Sequence, residues 1–520
     1  MDQEGLFPLI PKMGGKNLVM KGPEDCGNGN IVTVFENTDK EEYDAYLSAL
    51  ESAGFTKFAD NGDGLRGAVF TAAYVKDKWT VTVVHTVNLK KTTVSVCFDQ
   101  PLSERLIYKE DYAASNRKDA VTKLHMMEMW WFGNSFIVEL KNGHFLISDG
   151  GLPSDTPYLL DYLESLTPEG EKPVVEGWLV SHGHMDHLGV FQTLTGEAAN
   201  RIFVEGIYYS EVGEALYVKD QHTRIDAAIM KWSCTQLKNV DGTPTRMYRP
   251  HTGERLYFSD ITVDVIHTHE QLIREEATVD INDTSTWFML NIEGQKCLLT
   301  GDGERGCMVT IMRTYSRDYL DLDVMTLMHH GFNTDDEFTD YCRLKTLLVT
   351  THDKTPVSRA NQNDHLKANV QEYFSWGNGT KILSFPYKVG NYESLPPREW
   401  IHDPRLTDYR SLNVDRYWRS HRKLEARTIR ITDNGMTAEG AFLYEQIRKH
   451  LPLRITEDGM MITLRLDPSM EDEKPYIITF EDPIGWVIQA KNKEQLYPAI
   501  TQFTETADWT DRGFTAKLAE

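Results

Sequence analysis

The chain has 520 residues, of which 40% are hydrophobic and 26% are charged, a composition typical of a soluble globular protein with two to three domains. Its formal net charge of −23 opposes contacts with phosphate backbones, so we expect a small-molecule substrate and no long nucleic acid as a partner. The sequence contains no membrane-spanning apolar run, no secretory signal and no CxxC pair among its six cysteines, which together favour the cytoplasm.

Residues 1–112 are predicted to form a small α+β domain. A strand at 31–36 is followed by a helix at 39–54, and then by three extended runs at 67–75, 79–87 and 92–99. Apolar and polar residues alternate in the last two runs, which favours antiparallel strands with one wet face. No residue cluster in this segment carries obvious chemistry, so we interpret it as an accessory domain.

Short apolar strands alternate with helical segments through residues 113–390, which predicts one α/β domain. Helices are expected at 187–198 and in the segment before Trp232. Residues 391–520 contain further strands and two helices, and we interpret them as a separate C-terminal α/β domain.

Potential ligands follow five apolar strands of the central domain. These residues are Asp149, His182, Asp302, His330 and His352. In a layered α/β sheet, such strand ends converge on one edge, where ligand sites form. The sequence therefore predicts a single site at that edge.

The run at 181–189 places His182, His184, Asp186 and His187 within six consecutive positions. Three imidazoles beside a buried strand would be costly if they had no polar partners. Imidazole and carboxylate ligands without thiolates suit zinc, and also manganese or iron. Because neighbouring ligands on a tight loop point to alternate sides, the pair His182 and His184 can hold one ion, and Asp186 and His187 a second.

This HxHxDH run resembles the signature of the metallo-β-lactamase superfamily. The order in which Asp149, the HxHxDH run, Asp302 and His330 follow one another is also similar to that family. The resemblance covers about 125–390 and implies an αββα sandwich core for the hydrolase domain at 113–390. With small α+β domains at the N- and C-termini, the predicted fold class is α/β. Residues 282–304 and 328–331 are similar to the branch that contains DNA-uptake competence proteins and phosphorylcholine esterases.

The resemblance also implies a role for each residue of the site. His182 and His184 would hold the first of two divalent ions, most simply zinc; Asp186, His187 and His330 would hold the second. Asp302 would bridge the ions, and Asp149 would orient the ligand loop by hydrogen bonding. His329 and His330 are adjacent; we prefer His330 as the ligand because it directly precedes Gly331, which leaves His329 to support the site or contact substrate.

Several other residues have two interpretations. A further histidine found in many family members could be His222, His251, His267 or His269, although none lies in a convincing context and the competence-type branch tends to lack it. Asp283 and Ser285 either line the pocket or cap a strand. His329 and His352 are candidates to donate a proton to the leaving group, although His352 could equally be a core histidine with its polar groups satisfied. Asp186 is counted with them among the catalytic residues.

The expected reaction is hydrolysis by a metal-activated water, with a small phosphoester or phosphodiester as the preferred substrate. Hydrolysis of an ester, thioester or lactone on the same metals is the first alternative. A catalytically silent metal- or ligand-binding protein is the second.

Overall fold

The computed structural model of the protein describes most of the chain, and it divides the chain into two compact units. The described residues are 10–27, 29–129, 133–213, 221–272, 281–332, 336–351, 364–375, 379–397, 428–450, 454–455, 460–481, 485–506, 508–510 and 513–515. The first unit comprises Met1–Val190, Leu194–Asp220 and Cys234–Arg398, and the second Phe191–Thr193, Gln221–Ser233 and Glu399–Glu520. Within the described ranges, none of the helices has the length and apolar character needed to cross a bilayer.

The first unit begins with an antiparallel sheet of six strands, whose order is β1-β2-β6-β5-β4-β3. The strands are β1 (Val19–Asp25), β2 (Asn30–Glu36), β3 (Thr56–Asp60), β4 (Val69–Lys76), β5 (Trp79–Thr86) and β6 (Lys91–Phe98). The helix Lys40–Ser52 covers one face and starts with a capping box, in which Asp39 and Glu42 each accept a hydrogen bond from the other's backbone N–H at 3.0 Å. Its buried residues Tyr43, Tyr46 and Leu50 join the core of this sheet.

The wet face predicted for β5 and β6 is buried, so that prediction was wrong. On the neighbouring strand β4, Thr71 Oγ1 donates a hydrogen bond to the Thr252 carbonyl at 2.8 Å. Lys91 Nζ donates to the Gln271 carbonyl at 2.6 Å, and Thr86 Oγ1 donates to the side chain of the same glutamine. The polar side chains of this sheet therefore contact the next part of the unit instead of water. Alternation in sequence cannot separate these two environments, because both require polar groups at every second position.

The rest of the first unit contains two mixed sheets with helices beside them, which together form the predicted α/β sandwich. The first sheet takes β7 (Lys123–Met126), β8 (Ser135–Glu139), β9 (Phe145–Asp149), β10 (Val174–Val180), β11 (Phe203–Val204), β12 (Gly206–Tyr209) and β13 (Arg246–Tyr248). The second takes β14 (Arg255–Tyr257), β15 (Ile261–His267), β16 (Trp287–Ile292), β17 (Gln295–Leu299), β18 (Val324–Thr326), β19 (Thr346–Leu348) and β20 (Glu372–Phe374). The chain then returns to the first sheet with β21 (Lys381–Ser384) and β22 (Tyr392–Ser394). The helices are Glu110–Ala114, Thr156–Leu166, Met185–Leu188, Arg305–Thr314, Asp336–Tyr341 and Asp364–Asn369.

Strand direction brings the predicted site residues to one edge of these sheets. The first sheet has the order β13-β12-β10-β9-β8-β7-β21-β22, with β11 also on β10, and its strands β9, β10 and β12 are parallel. The second has the order β14-β15-β16-β17-β18-β19-β20, and its strands β17, β18 and β19 are parallel. Thr286 N, just before β16, donates to the Ser181 carbonyl at 2.8 Å, just after β10. This hydrogen bond joins the edges of the two sheets beside the histidine run.

The helix predicted at 187–198 does not form over that range. The chain makes one α-helical turn at Met185–Leu188 and a 3-10 turn at Gly189–Gln192, and the next helical turn begins only at Ala199. Thr193, Thr195 and Gly196 have low helix propensity, and Gly196 adopts a positive φ of 55° that no helix contains. The helix expected before Trp232 spans Gln221–Cys234.

The second unit contains a five-stranded sheet with the order β24-β23-β25-β27-β26. Its strands are β23 (Thr428–Thr432), β24 (Arg454–Ile455), β25 (Met460–Leu466), β26 (Tyr476–Glu481) and β27 (Gly485–Ala490), followed by the hairpin β28 (Asp508–Thr510) and β29 (Gly513–Thr515), and its helices include Thr437–His450 and Lys493–Thr506. The segment Gln221–Ser233 belongs to this core: the Trp232 ring lies 5.6 Å from that of Phe442 and 6.1 Å from that of Tyr497. The core therefore includes a helix that ends more than 150 residues before the predicted start of the C-terminal domain, as the sequence numbers show.

Candidate metal centre

The carboxylate of Asp149 holds the histidine loop in place. Its Oδ1 accepts a hydrogen bond from Ser181 N at 2.7 Å, and its Oδ2 accepts from Ser181 Oγ at 2.9 Å and from Asn134 Nδ2 at 2.7 Å. The Nδ1 of His187 lies 2.9 Å from the same Oδ2. Asp149 is fully buried at the end of β9. Because Nδ1 of His187 faces this carboxylate, its Nε2 is directed to the other side, into the site.

Four side chains meet where Nε2 of His187 points. This nitrogen lies 3.0 Å from Asp302 Oδ1 and 3.3 Å from His330 Nε2. The His330 Nε2 lies 3.0 Å from Asp186 Oδ2, while its Nδ1 faces Thr350 Oγ1 at 3.0 Å. The ligand atoms of Asp186, His187, Asp302 and His330 all lie within 4.8 Å of one another.

A second group of three side chains shares Asp302 with the first. The ligand atoms of His182, His184 and Asp302 also lie within 4.8 Å of one another. His182 Nε2 lies 3.1 Å from His184 Nδ1 and 3.9 Å from Asp302 Oδ2. Asp302 is itself fixed by its backbone N–H, which donates to Ser285 Oγ at 3.1 Å. One carboxylate is therefore within reach of both groups.

The ionisation of these residues fits a site for cations. Burial favours the neutral forms, and it lowers the pKa of His182 well below the usual value, as a histidine ligand requires. Burial also acts to raise the pKa of Asp302, but the charges of His187 and His330 outweigh it and lower that pKa well below normal. Conversely, burial lowers the pKa of His330, but Asp302 and Asp186 outweigh it and raise that pKa to about 9. The ionised carboxylates thus stabilise protons on the imidazoles that face them. A divalent cation suited to nitrogen and oxygen ligands would replace these protons.

His329 and His330 have different surroundings although they are adjacent. The His330 side chain is 1% exposed and belongs to the four-residue group, whereas that of His329 is 24% exposed and belongs to neither group. His329 Nε2 lies 3.9 Å from Asp302 Oδ2, and its Nδ1 lies 3.4 Å from Glu304 Oε1. His329 is thus beside the ligand cluster and within reach of solvent. His352, the other candidate proton donor, lies outside the described residues.

The structure places the other histidine candidates elsewhere. His251 Nδ1 contacts Glu270 Oε2 at 2.9 Å, and His269 Nδ1 contacts Ser210 Oγ at 3.3 Å. Burial lowers the pKa of His267 to about 3 and that of His269 to about 4, so both are neutral. Among the described side chains, none of these three joins either ligand group; His222 lies in the helix Gln221–Cys234, where its side chain is not described.

Three supporting residues were not identified from the sequence. Asn134 and Thr350 hold Asp149 and His330, and Glu304 faces His329. Ser285 was considered as a pocket or cap residue, and the structure shows it supporting the backbone of Asp302. Only Glu304 had a usable signal, since it follows Asp302 by two positions at the same strand end. Asp283, the other half of that pair, is buried and its carbonyl accepts from Cys307 Sγ at 3.4 Å.

A family model and several solved structures match parts of this chain. Residues 129–331 match the family model described as the metallo-beta-lactamase superfamily. The chain is similar to the metallo-beta-lactamase fold protein YhfI from Bacillus subtilis, at 11% identity and a TM-score of 0.30 over 49% of this chain and 96% of that one. It is similar to Zn²⁺-bound PqqB from Methylobacterium extorquens at 12% identity and a TM-score of 0.31, covering 48% and 86% of the two chains. For the short form of human tRNase Z the identity is 15% and the TM-score 0.26, covering 44% and 92%.

No match was found among curated proteins. The matched segment contains the histidine run, Asp302 and His330, and it includes most of both mixed sheets. The part of the chain that matches the metallo-β-lactamase superfamily model is therefore the part that contains both groups of candidate ligands.

Proposed function

We propose that this protein is a metal-dependent hydrolase that cleaves a small phosphoester or phosphodiester with water, using two divalent ions, most simply zinc. The observation that carries the proposal is the shared carboxylate: Asp302 lies within ligand distance of both groups of side chains. When bound, a pair of divalent ions supplies a water of lowered pKa and neutralises the charge that develops on the substrate oxygens.

The residues around the two groups have positioning roles in this proposal. Asp149 and Thr350 fix the rings of His187 and His330 through Nδ1, so that both Nε2 atoms face Asp302. Ser285 fixes the backbone of Asp302. These contacts hold the ligand atoms ready, so that little reorganisation is needed when the site is loaded.

His329 is the proposed proton donor to the leaving group. Its Nδ1 faces Glu304 Oε1 at 3.4 Å, which orients the ring so that Nε2 lies on the side of Asp302. A substrate oxygen that leaves beside the ligand cluster would take the proton from this Nε2. His329→Gln should lower kcat by on the order of 10²-fold while leaving metal content unchanged. Equal loss of metal and activity would instead make His329 a ligand.

The choice of a phosphate ester rests on the chain's own sequence. Residues 282–304 and 328–331 resemble the branch with phosphorylcholine esterases, and these segments supply Ser285, Asp302 and His330 to the site. The net charge of −23 disfavours a long polyanion and leaves a small or headgroup-like phosphodiester as the better substrate.

The test uses the full chain, stripped of metal and then reconstituted with zinc or manganese. We expect turnover of bis(nitrophenyl) phosphate that disappears on chelation and in His330→Ala. Turnover of a thioester or lactone panel without phosphodiester turnover would contradict the substrate class. Binding of fewer than about one equivalent of metal after reconstitution would contradict the hydrolase itself.

A further inference from the structure

Two segments from different parts of the first unit touch through their backbones. Residues 25–27, the last residue of β1 and the two that follow it, lie against residues 211–213, which follow β12. A Cβ on Gly213 would lie 2.0 Å from the Asp25 carbonyl oxygen, and a Cβ on Gly27 would lie 2.2 Å from that of Val212. Each segment therefore needs glycine where the other's backbone passes.

One buried arginine ties the same two segments together. Arg249 Nη2 donates to the carbonyls of Cys26 and Gly27 at 2.9 Å each, and to that of Glu211 at 2.7 Å. Its Nη1 donates to Ser210 Oγ at 3.2 Å. Because the planar guanidinium donates in fixed directions, these bonds set the distance between the N-terminal segment and residues 210–211.

The charge of this arginine is balanced across the same interface. Glu270 Oε1 lies 3.7 Å from Arg249 Nη1 and accepts from Asn30 Nδ2, at the start of β2, at 2.7 Å. His251 Nδ1 faces the other oxygen of Glu270 at 2.9 Å. All of these side chains are buried. This hydrogen-bond network includes groups from both sides of the interface. It therefore specifies one relative position of the two segments, which apolar contacts alone would not do.

The clamped segment lies beside the histidine loop. Tyr209 pairs with Val180 in the parallel strands β12 and β10, so Ser210 and Ser181 leave these strands side by side. Ser181 Oγ lies 3.1 Å from His182 Nδ1 and 3.2 Å from His187 Nδ1. A shift of residues 210–213 would therefore act on Ser181 and, through it, on two residues of the candidate metal centre.

We propose that the N-terminal sheet positions the edge of the metal centre, with Arg249 as the positioning residue. Residues 25–27 and Arg249 together fix residues 210–213, and these fix the path of the chain at Ser181. The N-terminal sheet is then part of the hydrolase. It contributes to the metal centre through its interface with residues 210–213 and not through a ligand site of its own. The expected effect on turnover rests on the proposed function, whereas the expected effect on the histidine loop at 181–189 does not.

The test compares two single methyl additions in the full chain. Gly213→Ala places a methyl 2.0 Å from the Asp25 oxygen, so the segments must separate by at least about 1 Å to reach the 3.0 Å below which real Cβ contacts essentially never fall. Gly14→Ala is the matched control, because nothing lies within 4 Å of the added Cβ and its φ is not in the left-handed region. Neither glycine is a ligand candidate.

Two readouts separate positioning from general destabilisation. In metal-free protein, hydrogen exchange of residues 181–189 should be about tenfold faster in Gly213→Ala than in Gly14→Ala, while exchange in the hairpin of β16 and β17 stays the same in both. In loaded protein, kcat/KM for bis(nitrophenyl) phosphate should fall by on the order of 10²-fold, mainly through kcat, since displacement of about 1 Å at a reacting centre has effects of that size.

The outcomes distinguish this inference from the proposed function. Exchange and kcat/KM both within twofold of Gly14→Ala would overturn the inference. A wild-type chain that turns over no substrate would contradict the proposed function, while the exchange experiment would still decide the positioning role. If Gly213→Ala does not fold, Arg249→Lys decides by the same two readouts, because lysine keeps the charge opposite Glu270 but cannot donate to Ser210 and three carbonyls at once.

Discussion

Asp149→Asn is the substitution that tests the support of the histidine loop most directly. Asparagine has the same shape and tolerates the left-handed φ of 54° at this position, so the backbone need not move. It replaces one acceptor oxygen by an NH₂ group, however, and every neighbour of the carboxylate is a donor: Ser181 N, Ser181 Oγ, Asn134 Nδ2 and His187 Nδ1. In either orientation of the amide, a donor faces a donor.

The size of the effect follows from these four hydrogen bonds. A hydrogen bond to a charged group contributes about 1.5–3 kcal/mol, and a neutral one about 0.5–1.5 kcal/mol. Losing the bond to Ser181 N outright and weakening the other three by somewhat under 1 kcal/mol each lowers the free energy of unfolding by about 4 kcal/mol. The looser His187 ring should also reduce metal affinity by about 10–100-fold.

Urea unfolding of the metal-free protein and chelator competition on the loaded protein measure these two quantities. Asp161→Asn is the control, because its carboxylate is 64% exposed in an ion pair with Arg201 and should contribute under about 1 kcal/mol. An Asp149→Asn protein with the urea midpoint and metal affinity of Asp161→Asn would refute this account of the loop.

Three further outcomes are expected. Asp186→Ala and His330→Ala should each abolish turnover and lower the metal content measured by mass spectrometry while the circular dichroism spectrum is kept; full activity in both would remove the assignment. Burial raises the pKa of Glu254 to about 7, so this group contributes stability that is full below about pH 4.5 and is lost as the pH rises to 7. Between pH 5 and 8 the free energy of unfolding of Glu254→Gln should therefore rise by about 2.5 kcal/mol relative to wild type, and urea titrations that stay parallel would refute this. Trp232→Ala should destabilise the second unit by about 2 kcal/mol, seen as an earlier transition in calorimetry, because its ring packs on Phe442 and Tyr497; an unchanged transition would contradict that packing.

The sequence predicts well those features of the site that depend on short segments. The HxHxDH run gives four neighbouring ligand candidates, and Asp302 and His330 could be added because each follows an apolar strand. The structure brings these six residues together in two groups. Their supporting partners could not be predicted, because Thr350 and Asn134 are common polar residues whose roles depend on contacts between distant segments.

The larger errors concern how segments of the chain pack. The alternation in β5 and β6 predicted a face in water, whereas Thr86 and Lys91 contact Gln271 across the interface. That interface is the reason the N-terminal sheet had no visible role in the sequence: its contacts to Arg249 are made largely by backbone carbonyls, which carry no side-chain signal. The position of Gln221–Ser233 in the second unit could not be predicted either, because the apolar face of a helix does not indicate which other segment it packs against.

That helix has a consequence for how the protein is made. Its partners in the second core begin with the strand at Thr428 and the helix at Thr437. These residues are synthesised about 200 residues after Cys234, the last residue of the helix. At roughly 5–20 residues per second, the apolar side of the helix, including Ala228 and Trp232, waits about 10–40 s for those partners. Exposed apolar surface of this kind promotes aggregation and is what chaperones cover. We therefore expect that faster translation of the last 300 residues would shorten its exposure.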